Sequence, residues 1–481
     1  MPDSQTCTKG DRAVFSSKID PIMKRRDFNQ SLGLGALAAT TLAACSLKKE
    51  EETVIPTTLD TSEELQQKMY AKALEITRSK VRGGEDEPFF KKPFVDAAFS
   101  DNIFLWDTCF IVCFAKYHMD ELPVYQALNN FYERVEEDGY ICREYRKDGR
   151  PLWSKDHPVS INPPLLAWAE TELYGQKADK ERLRYAYPIL KKNFEFHIAH
   201  YQGEDKLFWG DTLGLGMDNI PRSPRGWTTD LGNGMTHHEL GEKLGRMEGS
   251  NAEERLNMFI ADYVNTLQGV WNEQGRCVDF TAQMALYAKH LSFIAKEIGM
   301  EADISVYEAF RKEVGEAINA HCWSEKDGFY YDLAYGEQVE RRHIGMYWML
   351  LAELVPEDRM ERFVAYLKDP DEFYRKTPLP ALSAADPDYV GWGDYWLGGV
   401  WAPTSYMVIK GLSASGQKDL AQELAEITYF RVGEVFEATG TFWENYAPDL
   451  ISYGMPAKRD FCGWTGLVPI ALYKEYIENK G

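Results

Sequence analysis

The sequence predicts an all-α chain whose helices pair into antiparallel hairpins and close into an α/α toroid, and three observations predict it. Apolar residues recur at helical spacing along nearly the whole chain from Thr61 onward, convincing alternating strands are few, and four connections share one pattern. That pattern is a glycine followed four or five residues later by an acid closing a short aromatic or β-branched run: Gly139 to Glu144, Gly275 to Asp279, Gly328 to Asp332 and Gly440 to Glu444. Each reads as a helix ended by glycine, a tight turn and a brief extended segment leading onward.

Taken in order, residues 1–22 read as an upstream extension, with Met23 the expected start. Residues 23–45 carry a charged stretch, Met23-Lys24-Arg25-Arg26-Asp27-Phe28, and then an apolar run from Leu32 to Ala44, the layout of an export signal. The paired arginines resemble a twin-arginine signal and Leu42-Ala43-Ala44-Cys45 resembles a lipobox, so export and a lipid anchor on Cys45 are expected. The run is shorter than the roughly 20 residues a membrane helix needs, so Cys45 is the expected membrane attachment. Residues 46–60 form a polar tether.

The remaining residues, 61–481, read as one domain, because no internal stretch rich in Pro, Ser or like charge marks a cut. The clearest helix follows Asp279, where Phe280, Met284, Tyr287, Leu291 and Ile294 share one face. Similar periodicity predicts helices over 62–80, 103–118, 121–136, 163–174, 179–200, 255–271, 302–320, 340–354, 403–414, 417–436 and 465–478. Short connections between so many helices are the mark of antiparallel hairpins.

Bulk charge excludes one class of partner. With 54 basic against 75 acidic residues the net charge is −21, which repels phosphate backbones, so nucleic acid is not an expected partner. Aromatic residues make up 13% of the chain, with 13 Trp and 27 Tyr; most fill the core, yet aromatic faces beside carboxylates are also how sugars are gripped. The eight cysteines show no C-x-x-C and no zinc spacing, and neither metal nor cofactor is expected. His237-His238-Glu239 lacks a further ligand at usable spacing and reads as a solvated loop.

Two acids stand out. Gly214-Leu215-Gly216-Met217-Asp218-Asn219-Ile220-Pro221-Arg222 sets Asp218 on backbone that glycine lets turn tightly and proline stiffens. Such an acid serves an Asx turn as readily as a reaction, so a second one has to carry the case. Glu444, in Thr441-Phe442-Trp443-Glu444-Asn445-Tyr446-Ala447-Pro448, is flanked by aromatics that would bury it and raise its pKa. Glycosidic hydrolysis needs such a pair, one carboxylic acid to protonate the leaving oxygen and one carboxylate opposite. Three other stretches read as funnel walls: Trp106-Asp107 at a helix start, Asn162 before Pro163-Pro164 as cap or sugar ligand, and Tyr395-Trp396-Leu397-Gly398-Gly399-Val400-Trp401 before a helix begun at Pro403.

Together, Trp106-Asp107, Asn162-Pro163-Pro164, Gly216-Met217-Asp218-Asn219-x-Pro221-Arg222, Trp396-x-Gly398-x-Val400-Trp401-x-Pro403 and Glu444-Asn445-Tyr446-x-Pro448 resemble glycoside hydrolase family 63, in particular its mannosylglycerate-hydrolase-like branch. More distantly the chain is similar to family 37 trehalases. The resemblance implies a six-hairpin α/α barrel and inverting hydrolysis of an α-glycosidic bond without metal or cofactor. It implies Asp218 as general acid and Glu444 as general base, with Trp106, Asp107, Asn162, Asn219, Arg222, Tyr395, Trp396 and Trp401 at the substrate site, and Trp464 closing it. Asn162 stands where the family more often has Gln, and residues 98–102 lack the arginine trehalases place there, which points away from trehalose.

The expected function is therefore an exported exo-α-glycosidase acting on a small α-glycoside or oligosaccharide end, an α-glucoside or α-mannoside. Two rivals share the features: a toroid polysaccharide lyase or unsaturated glucuronyl hydrolase, and a non-catalytic sugar-capturing lipoprotein. A lyase would want a Tyr/His pair in a basic groove, which an acidic chain with 9 His serves poorly, and mere capture needs no pair of acids.

Overall fold

The computed structural model of the chain describes residues 62–98, 100–222, 275–461 and 463–478. The chain divides into two units, Met1–Thr53 and Val54–Gly481, of which the first lies outside the described residues. So do the tether 46–60, Cys45, the expected helix over 255–271 and His237-His238-Glu239.

The described chain is predominantly helical. Its long helices are α1 (Glu63–Ser79), α2 (Leu105–Ala115), α3 (Val124–Tyr132), α4 (Leu166–Gln176), α5 (Lys180–Tyr201), α6 (Val278–Ile298) and α7 (Glu301–His321). They are followed by α8 (Trp348–Leu351), α9 (Glu357–Ala365), α10 (Ala402–Ala414), α11 (Lys418–Thr439) and a last helix, Val468–Ile477, wound with π-type bonding. Local chemistry sets many ends. Ser62 and Asp179 accept the N–H of Leu65 and Arg182 to cap α1 and α5. α11 stops at Gly440, whose φ of 71° favours a residue without Cβ.

Two kinds of helix alternate. Every residue of α2 and α8 is buried, as are all but three of α10, so these helices have no solvent face. By contrast α7 buries only Tyr307, Val314, Gly315 and Ile318 along one stripe. Contacts between the buried helices run in a circuit, α2 to α4, α6, α8, α10, the segment Thr465–Leu467 with the last helix, and back to α2. The amphipathic helices lie outside: α3 on α2, α5 on α4 and α6, α7 on α6, and α11 and α1 on the last helix.

The inner helices run in one direction. Residues at their starts meet one another, as Trp106, Trp401 and Trp464 do, while residues in their last turns meet at the other end, where Lys116 of the α2 C-terminus bonds Glu172 of α4 and Glu475 of the last helix.

Nine two-residue strands among the described residues tie the connections: β1 (Val81–Arg82) pairs β2 (Phe94–Val95), and β3 (Ile103–Phe104) pairs β4 (Glu144–Tyr145). β5 (Gly275–Arg276), β8 (Leu333–Ala334) and β9 (Glu337–Gln338) form one sheet, and β6 (Trp323–Ser324) pairs β7 (Phe329–Tyr330).

These strands correct the reading of the repeated glycines: Gly440 ends a helix, but Gly139 and Gly328 do not, and what precedes Gly275 lies outside the described residues. Gly328 turns the β6–β7 hairpin, Gly139 closes a turn after α3, and Gly275 is itself extended in β5. Two helix expectations also change. The stretch 340–354 is extended to His343 and then holds a 3-10 turn (Ile344–Tyr347) before α8, and α9, rich in charge, was not foreseen from periodicity.

Candidate active site

The loop carrying Asp218 is riveted on all sides. Gly214 donates its N–H to Asp211, its carbonyl accepts from Asn162 Nδ2 at 2.8 Å, and the Leu213 carbonyl accepts from the Arg143 guanidinium. Gly216 has a φ of 82°, and a Cβ there would sit 2.5 Å from the Trp106 ring, so glycine alone fits. Asn219 spends both ends of its amide, accepting from Trp396 N–H at 2.8 Å and donating to the Asp394 carbonyl at 3.1 Å. Arg222 is fully buried and paired with Asp279 at the start of α6 and with Asp332, which also bonds His343 at 3.1 Å.

Asp218 lines a cavity of about 390 Å³ that also receives Trp106, Asp107, Asn162, Tyr395, Glu444 and Trp464. Seven of the eleven residues expected at the site therefore share this hollow. The other four stand behind it. Trp396 and Trp401 stack on each other at 4.2 Å with a 6° tilt and back Trp106 and Trp464, respectively. Asn219 and Arg222 hold the loop rather than face the cavity, because their polar atoms are consumed inside the fold. Asn162 bridges two elements: its Oδ1 accepts the Trp106 N–H at 3.4 Å, so it steadies the first turn of α2 while Nδ2 grips the Gly214 carbonyl.

Protonation at the site is set by burial. Asp218 is pushed up to about 7, first by loss of solvent and further by the charge of Glu444, with Arg143 opposing. Asp107 is pushed up to about 8 by burial, again with Arg143 opposing and Glu144 adding to the rise. Burial also raises Glu444, against the pull of Lys458, whose backbone N–H donates to Glu444 Oε2 at 3.0 Å, and of a hydrogen bond from Tyr395. The cavity thus offers two acids that hold protons near neutrality and a third carboxyl, Glu444, which burial also raises but which Lys458 and Tyr395 supply with donors.

Among the lining residues that sequence reasoning missed are Arg143, Glu144, Trp153 and Lys458. The first two close the Gly139–Glu144 connection, so its likeness to Gly440–Glu444 was the signal available. Two larger hollows lie elsewhere. In one, of about 460 Å³, Arg341 and Arg342 are already paired with Asp386 and Glu372; the other, of about 800 Å³, is rimmed by Glu353, Glu357, Glu361 and Lys368. The five described cysteines, Cys109, Cys113, Cys142, Cys277 and Cys322, are buried and form no disulfide, whereas Cys7, Cys45 and Cys462 fall outside the described residues.

Residues 100–455 match the family described as the mannosylglycerate hydrolase MGH1-like glycoside hydrolase domain. A mannosyl-oligosaccharide glucosidase of Saccharomyces cerevisiae is 29% identical over 418 residues, covering 76% of this chain and 49% of its own length. The chain thus spans about half of that relative. A mannosylglycerate hydrolase of Rubrobacter radiotolerans is 26% identical over 41% of this chain and 43% of its own. Among solved structures, a GH63 mannosylglycerate hydrolase from Thermus thermophilus, in complex with Tris and D-glycerate, superimposes with a TM-score of 0.63 at 18% identity, covering 84% of this chain and 99% of that one, a likeness of fold.

Proposed function

The chain belongs to the mannosylglycerate hydrolase MGH1-like glycoside hydrolases, and within that family we propose that it is an inverting, exo-acting α-glycosidase with Asp218 as general acid and Glu444 as general base. The observation that carries this reading is the pairing of the two carboxyls on one aromatic-walled cavity, with Asp218 held near pKa 7 by burial. An acid with that affinity keeps its proton at slightly acidic pH and releases it to a leaving oxygen. Glu444 receives the Lys458 N–H and the Tyr395 bond, both of which favour its ionised form, as a base that draws a proton from water requires. Inversion needs the carboxyls roughly 6.5–9.5 Å apart with water between.

Trp106 and Trp464 offer faces to a sugar ring and Asp107 offers polar atoms to its hydroxyls, while Asn162 steadies the wall between Trp106 and the Asp218 loop. The glycone is an α-glucose or α-mannose unit at a chain end or on a small aglycone, a choice supported by the names of the relatives. The circuit of inner helices with outer partners supports a six-hairpin α/α barrel. Export by the 23–45 signal, with a lipid on Cys45, completes the proposal.

Replacing Asp218 with Asn is expected to lower kcat by roughly 10³-fold while leaving the circular dichroism and melting curve unchanged; retained turnover removes Asp218 from the acid role. Proton NMR of the first-formed sugar is expected to show the β anomer, and an α product rules out water activation by Glu444. Sugar bound for hours without any product would leave capture as the activity.

A further inference from the structure

Arg143 and Glu144 enter the cavity as neighbours, and the reaction as read above gives neither of them a part. Glu144 is only 5% exposed and accepts two neutral donors, Asn102 Nδ2 at 2.7 Å and Trp153 Nε1 at 3.3 Å. An ionised carboxylate has about four acceptor positions, so both oxygens keep capacity. Arg143 is 9% exposed, its guanidinium lies 5.3 Å from the Trp153 ring centroid, and its buried Nε has no acceptor among the described residues. A buried guanidinium N–H without an acceptor is costly unless a ligand supplies one.

Their place relative to the two reacting carboxyls gives the pair a direction. The Arg143 guanidinium donates to the Leu213 carbonyl in the loop that carries Asp218, and Glu144 lies opposite Phe104, just ahead of Asp107, whereas Glu444 is held by the Lys458 N–H. The pair thus stands on the acid's side of the cavity, and the acid's side is where a protonated leaving group departs. Its backbone is fixed: β4 sets Glu144 opposite Phe104, the Arg143 carbonyl accepts from Leu105 N–H at 2.8 Å, and the Arg143 N–H donates to Ser160 at 2.8 Å. A donor just ahead of β4 and an acceptor at its first residue, both on pinned backbone and both lining the cavity, match two neighbouring hydroxyls.

Resting on the glycosidase reading above, we propose that Arg143 and Glu144 form a leaving-group subsite for an aglycone bearing adjacent hydroxyls, a second sugar or a polyol, with Arg143 donating and Glu144 accepting. The subsite disfavours a flat apolar aglycone, which offers neither group a further partner, and, with Glu144 beside Arg143, it has no net charge with which to draw an anionic one.

The test compares Glu144→Gln with the unaltered full chain on substrates that differ only in leaving group. The α-fluorides of glucose and mannose, whose leaving group has no hydroxyl, first identify the glycone. The α-disaccharides, the glycerol glycoside and the nitrophenyl glycoside of that sugar follow. The unaltered protein is expected to favour the hydroxylated aglycones over nitrophenyl, and Glu144→Gln to lose kcat/KM on them by roughly 10- to 100-fold more than on the fluoride. Equal losses on every substrate overturn the proposal by reducing Glu144 to a structural part, and so does a preference of the unaltered protein for nitrophenyl. A gain on the glyceric acid glycoside with no loss on disaccharides overturns it in favour of an anionic aglycone. Failure of both fluorides instead strikes the glycosidase reading beneath.

Discussion

The two ends of the inner helices handle buried charge in opposite ways. At the starts of the helices, burial is the largest influence on Asp107 and Asp218; Arg143 opposes it without overcoming it, and the two rise to about 8 and about 7. At the other end, Glu172 is partly buried, which alone would raise it, but Lys410 and Lys116 together outweigh burial and hold it down to about 2. There Lys116 bonds Glu172 at 2.5 Å and Glu475 at 3.1 Å, and Lys410 bonds Glu475 at 3.0 Å. Carboxyls in the same ring are thus made to exchange protons at one end and to stay ionised at the other. What decides is whether the neighbouring cations outweigh desolvation, since desolvation acts on both.

Breaking the ionised end should have the largest effect on stability. Glu172→Gln leaves the buried Lys116 and the partly buried Lys410 sharing Glu475, and is expected to destabilise by about 3 kcal/mol in urea unfolding, the low end for a buried pair. The pH dependence of the residual activity should keep its shape, because the cavity acids are untouched.

A smaller effect, of opposite sign in pH, is expected from Asp107→Asn. The folded pKa of Asp107 lies above the unfolded value, so its stabilisation is present below about pH 4 and is lost as pH rises through about 8. Unfolding measured from pH 5 to 9 should show the unaltered protein weakening by a few kcal/mol relative to the variant. Glu172 works the other way: it stabilises above its unfolded pKa and loses that contribution as pH falls toward about 2. Activity of the unaltered protein should fall above pH 7 as Asp218 loses its proton, and a profile still rising at pH 9 would contradict that assignment.

The smallest of these changes sharpens the geometry at the cavity. Gly216→Ala places a methyl group against the Trp106 ring and forces a φ of 82° on a residue with Cβ, at a cost of about 1–3 kcal/mol. Its melting temperature should drop and kcat should fall with it, since the same loop carries Asp218.

Much of this contrast was legible in the sequence at one end only. The loop around Asp218 and the run around Glu444 announce themselves through glycine, proline and aromatic neighbours. Lys116, Glu172, Lys410 and Glu475 look like ordinary helix-surface charges, since nothing local says that four helices will bring them together. Arg143 and Glu144 were passed over for a similar reason, because the brief extended segment expected over Gly139–Glu144 does not say what it lines until β3 pairs with it. Motif reading also does not tell front from back. Arg222 and the Trp396–Trp401 stack belong to the same motifs as the cavity residues, but their side chains point into the fold behind it. The unforeseen α9 does space Met360, Phe363 and Val364 along one face, but its nine residues are too short a window to stand out, and tertiary packing of Phe363 and Val364 makes it a helix.

Closure of the helix circuit joins Trp106, early in the chain, to Trp464, near its end, at 5.7 Å. During translation the hollow therefore lacks one of its lining walls until that last tryptophan has left the ribosome, and Lys116 waits equally long for Glu475. Assembly of the pocket is a late event of synthesis, governed by the slow meeting of distant segments rather than by the quick formation of any one hairpin.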